Sequence, residues 1–268
     1  MPDDVASFVG AIPDFYDRDM GPIIFADYGA RVAARVAELS PARVLETAAG
    51  TGIVTRALRD ALRAEARLTA TDLNAPMLEV AKAKFSPGEQ VAFQAADAMN
   101  LPFADASFDV VLCQFGVMFY PDKDRSYREA RRVLAPGGRY VFSVWDSIER
   151  TRFGFAVNEA CRRIFPVDTP AFPSVPFSCS AIDPIRAALA RAGFGDIRID
   201  VLPAEKAVPD CRAFARGLVR GSPIIDQAQS RGIDPEAVID EVCDRLGDEI
   251  KATGRIAMQA IVFEAARD

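Results

Sequence analysis

Two glycines separated by one residue, with an acid before them and another well beyond, are the residues of this chain best placed to do chemistry. The run Val44-Leu45-Glu46-Thr47-Ala48-Ala49-Gly50-Thr51-Gly52 passes from an apolar strand pattern into a glycine turn, and Asp72 follows twenty residues beyond Gly52. Such a turn needs glycine because the backbone must bend sharply and approach a ligand with no Cβ in the way. The helix that starts behind it offers unpaired N–H groups and partial positive charge to an anion. An acid at the end of the next strand is placed to accept hydrogen bonds from ribose hydroxyls. Strand, glycine turn, helix, strand and acid together make a plan for holding a nucleotide.

The residue types that are missing narrow the chemistry. None of the 268 residues is histidine, which removes the Ser-His-Asp triad, the Cys-His dyad and every His-ligated metal site. Cys113, Cys161, Cys179, Cys211 and Cys243 are scattered with no C-x-x-C pair, so no metal site is expected and reduced thiols in the cytoplasm are the simple reading. Acid–base work would fall to Asp, Glu, Tyr, Lys or Cys. A net charge of −6 argues against a nucleic-acid partner, since phosphates call for clustered Lys and Arg. The start, Met1-Pro2-Asp3-Asp4, is acidic, unlike the basic start of a secretory leader. No run reaches the ~18 apolar residues of a membrane span. The oligomeric state cannot be read.

The elements that position the turn follow from hydrophobic pattern. Strands are expected at 42–47, 66–71 (ending at Asp72), 90–95, 108–113, 139–145, 195–201 and 256–266, the last suiting a sheet edge. Between them fall helical patterns: one to about Ala64, one capped by Asn74 with Pro76 in its first turn, one from Asp122 through Leu134 stopped by Pro136-Gly137-Gly138, and one from an Asp183 N-cap to Gly193. Residues 209–250 read as helical again, with Asp234-Pro235 as a clear start. Residues 146–182 read as an insertion with little regular structure after one helix, rich in Phe (Phe153, Phe155, Phe165, Phe172, Phe177) and Pro. Alternating strands and helices predict an α/β fold with a parallel sheet.

The details of the turn separate two nucleotides. A dinucleotide fingerprint asks for a third Gly or Ala where this chain has Thr55, and no tyrosine has a lysine four residues on. The segment from Val44 to Gly52 resembles instead motif I of class I S-adenosylmethionine-dependent methyltransferases, with Ala48 in place of its first glycine. That replacement calls for φ < 0 at Ala48 or a backbone there that tolerates a methyl. Leu101-Pro102-Phe103, Ser107-Phe108-Asp109-Val110-Val111 and Leu134-Ala135-Pro136-Gly137-Gly138-Arg139 resemble further segments of the same family in the same order. The nearest resemblance is to the ubiquinone- and menaquinone-biosynthesis type, whose lid segment is similar to Tyr16-Asp17-Arg18 through Gly21-Pro22 and Tyr28.

The resemblance implies a Rossmann-like seven-stranded sheet of order 3-2-1-4-5-7-6, strand 7 antiparallel, flanked by helices with helical lid insertions. It implies one methyltransferase domain over 1–268: lid helices in 1–40, a cofactor-binding core in 41–145, and substrate-cap insertions in 146–182 and 209–250. The activity implied is methyl transfer from S-adenosylmethionine to a small apolar or aromatic O, N or C nucleophile, leaving S-adenosylhomocysteine. The implied cofactor residues are Glu46, Ala48, Gly50, Thr51 and Gly52 in the turn, Asp72 on the ribose, and Ala96-Asp97-Ala98 at the adenine amine. Leu73 and Met77 would flank adenine, although Met77 also fits a core stripe. Gln114 and Phe115 would face the sulfonium end or pack the loop. Tyr16, and less readily a surface Arg31, would reach the methionine carboxylate. The Phe-rich insertion is an apolar lid or a packing layer. Arg212, Arg216 and Arg220 share one helix face, either solvated or meeting an acidic acceptor. No catalytic residue is singled out. An NAD(P)-linked oxidoreductase and a non-catalytic nucleotide-binding protein are the alternatives.

Overall fold

The computed structural model describes residues 6–268; residues 1–5, with the acidic start, lie outside the described residues. The chain enters through single helical turns at Ile12–Phe15 and Gly21–Ile24, joined by a π-helical turn at Tyr16–Met20. Then follow α1 (Ala26–Glu38), β1 (Arg43–Glu46), α2 (Ile53–Ala61), β2 (Arg67–Asp72), α3 (Ala75–Lys82), β3 (Val91–Ala95), β4 (Phe108–Gln114), α4 (Lys123–Val133) and β5 (Leu134–Trp145). The second half adds α5 (Arg152–Ile164), α6 (Ile182–Arg191), β6 (Gly195–Ala207), α7 (Cys211–Arg220), α8 (Ile224–Ser230), α9 (Pro235–Thr253) and β7 (Arg255–Ala266).

One sheet of order β3-β2-β1-β4-β5-β7-β6 results, as expected. Its first five strands pair in parallel, and β7 runs antiparallel to both β5 and β6. The central strands bury both faces: Val44, Leu45, Val111, Leu112, Val141 and Phe142 are sealed from solvent. Each such side chain contributes roughly 1.5–3 kcal/mol on burial. Helices cover the two faces because each presents one apolar stripe, as α1 does with Tyr28, Val32 and Val36.

Four expectations need correction. β7 is not an edge strand; it lies between β5 and β6, and β6 forms the edge. The reason is legible in burial: Ala260 through Phe263 are buried on both faces, as an interior strand requires, whereas β6 alternates half-buried and exposed positions. β6 also continues past residue 201 to Ala207, paired with β7 along its length. Asn74 precedes α3 without capping it; its amide instead accepts from Phe8 N (3.2 Å) and donates to Ala6 O (3.0 Å), pinning the entering chain. Asp183 is not an N-cap, because α6 starts two residues earlier than expected, at Ile182 behind Ala181, and the Asp183 carboxylate pairs with Arg186. The Asp122 and Asp234 caps form as expected, accepting from Arg125 N and Glu236 N.

The sheet places the site at the carboxyl ends of β1, β2 and β4. Thr47 N donates to Leu112 O (2.8 Å) and Ala49 N to Thr71 O (2.9 Å), which ties the turn after β1 to both neighbouring strands. Among the described residues no helix is long and apolar enough to cross a membrane.

Candidate active site

The turn after β1 holds three residues in the left-handed region: Ala48 (φ +53°), Gly50 (φ +56°) and Gly52 (φ +78°). The negative φ offered as one way to accommodate Ala48 is therefore not what the chain uses; the backbone is left-handed and carries the methyl, at the cost that conformation imposes on a residue with a Cβ. Gly116 provides the room, since a Cβ there would sit 2.5 Å from the Ala48 methyl. Gly52 serves packing. A Cβ on it would come within 2.7 Å of Ala81 Cβ, so its bareness lets α2 settle beside α3. Thr55 is fully buried within α2 and fits without a smaller residue.

Asp72 ends β2 facing this turn. Gly50 N donates to its Oδ2 (2.9 Å) and Asn74 N to its Oδ1 (2.8 Å). Burial raises the Asp72 pKa, and these backbone N–H groups oppose the rise. Asn74 Nδ2 also reaches Oδ1 (3.5 Å); a carboxylate has about four lone-pair sites, so acceptor capacity remains on Oδ2. The Tyr16 phenol hangs over the turn, 3.9 Å from where a Gly50 Cβ would lie. Burial, then the charges of Asp72 and Asp17, push its pKa well up, so the phenol keeps its proton. Glu46 lies deeper, 1% exposed, with Oε2 lacking a partner. Burial pushes it up to about 8, and it carries a proton at neutral pH.

Asp72, Tyr16 and Gly50 border a cavity of about 330 Å³. Eleven of the fourteen cofactor residues implied from sequence line it: Tyr16, Ala48, Gly50, Asp72, Leu73, Met77, Ala96, Asp97, Ala98, Gln114 and Phe115. Glu46, Thr51 and Gly52 do not; they stand behind the lining and shape the turn. Leu73 is 63% exposed at the wall while Met77 is buried. The Asp97 carboxylate accepts from Met99 N (2.8 Å). Gln114 Nε2 donates to Phe25 O (3.3 Å), and its buried Oε1 has no hydrogen-bond partner among the described residues.

Much of the cavity wall is aromatic. Phe115, left-handed at φ +53°, stacks on Trp145 with ring centroids 3.9 Å apart. The Phe-rich insertion divides: Phe153, Phe172 and Phe177 line the cavity, Phe165 joins the core, and Phe155 is exposed. Both readings of that segment therefore apply, to different residues. Sequence reasoning missed Phe8, Phe25, Phe119 and Trp145 in the wall. The lone tryptophan at the end of a parallel strand was the available signal for one of them.

The second insertion stands over the entering chain. Gly217 on α7 and Gly221 at its C-cap press against the backbone of Asp19 and Tyr16, where a Cβ would come within 2.8 Å of either. Arg216 Nε pairs with Asp19 (2.8 Å), Arg220 with Glu236, and Arg212 with Glu236 and Asp240. The arginine stripe thus meets acids of the protein and does not line the cavity. Arg31 is exposed and away from the cavity lining.

Comparison with known proteins shows the family of the chain. A family profile described as "Methyltransferase domain" matches residues 45–142. A demethylmenaquinone methyltransferase of Thermus thermophilus is 32% identical over 176 residues, covering 62% of this chain and 79% of that protein. A demethylmenaquinone methyltransferase of Thermotoga maritima is 43% identical over 112 residues, 41% of this chain and 47% of that one. A ubiquinone/menaquinone biosynthesis C-methyltransferase of Bartonella henselae is 38% identical over 122 residues, 42% of this chain and 47% of that one. The chain thus spans less than half the length of the last two. The fold of the YcgJ protein of Bacillus subtilis superposes with a TM-score of 0.59 at 21% identity, over 90% of this chain and 98% of that one. This chain belongs to the class I S-adenosylmethionine-dependent methyltransferases, with ubiquinone- and menaquinone-type enzymes among its relatives.

Proposed function

We propose that the protein methylates an apolar or aromatic small molecule, holding S-adenosylmethionine at the turn end of the cavity and the acceptor at the aromatic end. The observation that carries this reading is the mixed lining of one cavity: Asp72, whose carboxylate accepts from Gly50 N of the glycine turn, and Asp97 share its wall with the rings of Phe119, Trp145, Phe153, Phe172 and Phe177. The turn end fits the donor. Asp72 is nearly buried yet keeps acceptor sites for a diol, Leu73 offers an exposed apolar face for a base, and Gln114 Oε1 is an orphaned acceptor suited to an ammonium. Asp97 would take the adenine amine and Tyr16 would cover the methionine end, with Ala96, Ala98 and Met77 as walls; Glu46, Thr51 and Gly52 would act from behind by holding the turn.

When bound, S-adenosylmethionine supplies a methyl group already activated by a sulfonium. The chain's own residues then bind, orient and exclude water. The aromatic walls hold an apolar acceptor in line and keep solvent out, which favours a displacement that needs little solvent reorganisation. Tyr16 and Tyr120 stay protonated, both raised mainly by burial, so neither serves as a ready base; an acceptor carrying a free lone pair or an electron-rich carbon suits the site. A cytoplasmic setting is supported by five unpaired cysteines, and a small molecule rather than a nucleic acid by the net charge of −6.

The test is transfer of labelled methyl from S-adenosylmethionine to a panel of phenols, quinols, amines and acids. Label is expected on uncharged ring acceptors. Transfer confined to charged, non-aromatic acceptors would reject the reading of the aromatic end.

A further inference from the structure

The aromatic end has one contact that fixes its depth. Gly154, in the first turn of α5, lies against the tip of Phe177: a Cβ on Gly154 would sit 2.0 Å from Phe177 Cζ and 2.4 Å from Cε2. No real Cβ approaches an atom so closely. The Phe177 ring occupies the space that any larger residue at 154 would fill. Both residues line the cavity, and the ring leans towards Phe153 with centroids 6.2 Å apart. Phe177 belongs to the short 3-10 helix Phe172–Phe177, held by two prolines, Pro173 and Pro176. That backbone is stiff, because proline fixes φ. A side chain added at 154 is therefore accommodated by rotation of the ring, and the open volume beside the ring is the cavity.

We propose that Gly154 and Phe177 together set the size of the acceptor subsite, Gly154 acting as a recess that draws the Phe177 ring out of the space the acceptor ring occupies. This rests on the reading of the aromatic end as the acceptor end. The ligand class is an uncharged aromatic ring system. The walls here offer ring faces and edges from Phe119, Trp145, Phe153, Phe172 and Phe177, with Leu218 as aliphatic filling, and none of these carries a charge. Aromatic rings pack on such walls by offset or edge contacts, whereas an ion would lose its hydration with nothing to pair it.

Gly154 is a positioning residue in this scheme: it touches Phe177, and Phe177 touches the acceptor. Steric change at 154 then discriminates between acceptors by size and leaves the donor end alone. The experiment uses the full chain saturated with S-adenosylhomocysteine and measures calorimetric binding of phenol and of 1-naphthol. Gly154→Ala is expected to weaken 1-naphthol on the order of tenfold or more, as overpacking does, with phenol changed by about twofold or less. The double variant Gly154→Ala/Phe177→Ala removes the displaced ring and is expected to bind 1-naphthol at least as well as the parent does. S-adenosylhomocysteine affinity should be unchanged in both. Equal loss for the two probes, or failure of the second substitution to rescue, would overturn the proposal. Parent protein that binds S-adenosylhomocysteine but neither ring probe would overturn the ligand class while leaving the donor site intact. Parent protein that fails to bind S-adenosylhomocysteine would instead overturn the reading on which the proposal rests. Should Gly154→Ala not fold, Phe177→Leu keeps the test: a shorter side chain should tighten 1-naphthol relative to phenol, and unchanged selectivity would overturn the proposal.

Discussion

The turn end of the cavity is shaped by backbone, and the aromatic end by side chains. At the turn, three left-handed residues, two strand-to-loop hydrogen bonds and one carboxylate held by backbone N–H groups fix the geometry. At the other end, rings from β5, α5 and the segment 172–177 pack on one another, with α7 adding Leu218 to the wall. A backbone-built site accepts few residue types at each position, because left-handed φ and close approach are demands on the main chain. A site built of packed rings accepts many combinations of similar volume. The first end therefore suits a ligand shared by a whole family, and the second suits an acceptor that differs among members.

Substitutions can break this contrast, beginning with the largest effect. Gly52→Val at the turn should cost about 3 kcal/mol or more, since it adds a branched side chain at φ +78° and drives into Ala81; chemical denaturation measures it, and a loss under ~1 kcal/mol would show that the turn is less constrained than the backbone account holds. Glu46 comes next. Its folded pKa of about 8 lies above the unfolded value of about 4.3, so the folded chain binds a proton that the unfolded chain has lost. Stability should therefore be fully present below about pH 4 and decline as pH rises to about 8. Glu46→Gln removes the ionisation and should flatten that decline, gaining up to about 5 kcal/mol at pH 9 relative to its effect at pH 4. A parallel pH profile in the variant would contradict the buried, protonated carboxyl.

Smaller effects test the cap. Arg216→Ala should cost about 1 kcal/mol, because Arg216 is over a third exposed and Arg18 still pairs with Asp19. The loss should shrink in high salt, and a salt-independent loss would point to packing instead. Smallest is Ala48→Gly. It relieves a methyl from φ +53° but adds freedom to the unfolded chain, so the net gain should be about 0.5 kcal/mol. A loss of stability would mean that the Ala48 methyl beside Gly116 is worth more than the strain it carries.

The same contrast decides what could be read from sequence. Gly50, Asp72 and Asp97 announce themselves because backbone demands and charge leave marks at fixed spacings. The interior place of β7 was legible too, in the near-continuous apolar run from Ile256 to Ala266, but its late position in the chain suggested an edge. Asn74 has the right identity and place for a cap, and tertiary contact with Phe8 and Ala6 took its amide elsewhere. The aromatic wall was only half visible. Phe153, Phe172 and Phe177 stood out by composition, yet nothing local distinguishes them from Phe165, which is buried in the core, or from exposed Phe155. Phe8, Phe25 and Phe119 come from separate segments and meet only in the fold. Gly154 carries no motif; its meaning is the ring that fills its place.

In the proposed function the backbone-built end holds S-adenosylmethionine through Asp72. Calorimetric titration with S-adenosylhomocysteine tests it most directly, on the parent chain and on Asp72→Ala checked for an intact fold by circular dichroism. Binding on the order of micromolar is expected for the parent, with a loss on the order of 1–3 kcal/mol in the variant, the scale of hydrogen bonds to a charged group. A parent chain that does not bind, or a folded variant that binds as tightly as the parent, would contradict it.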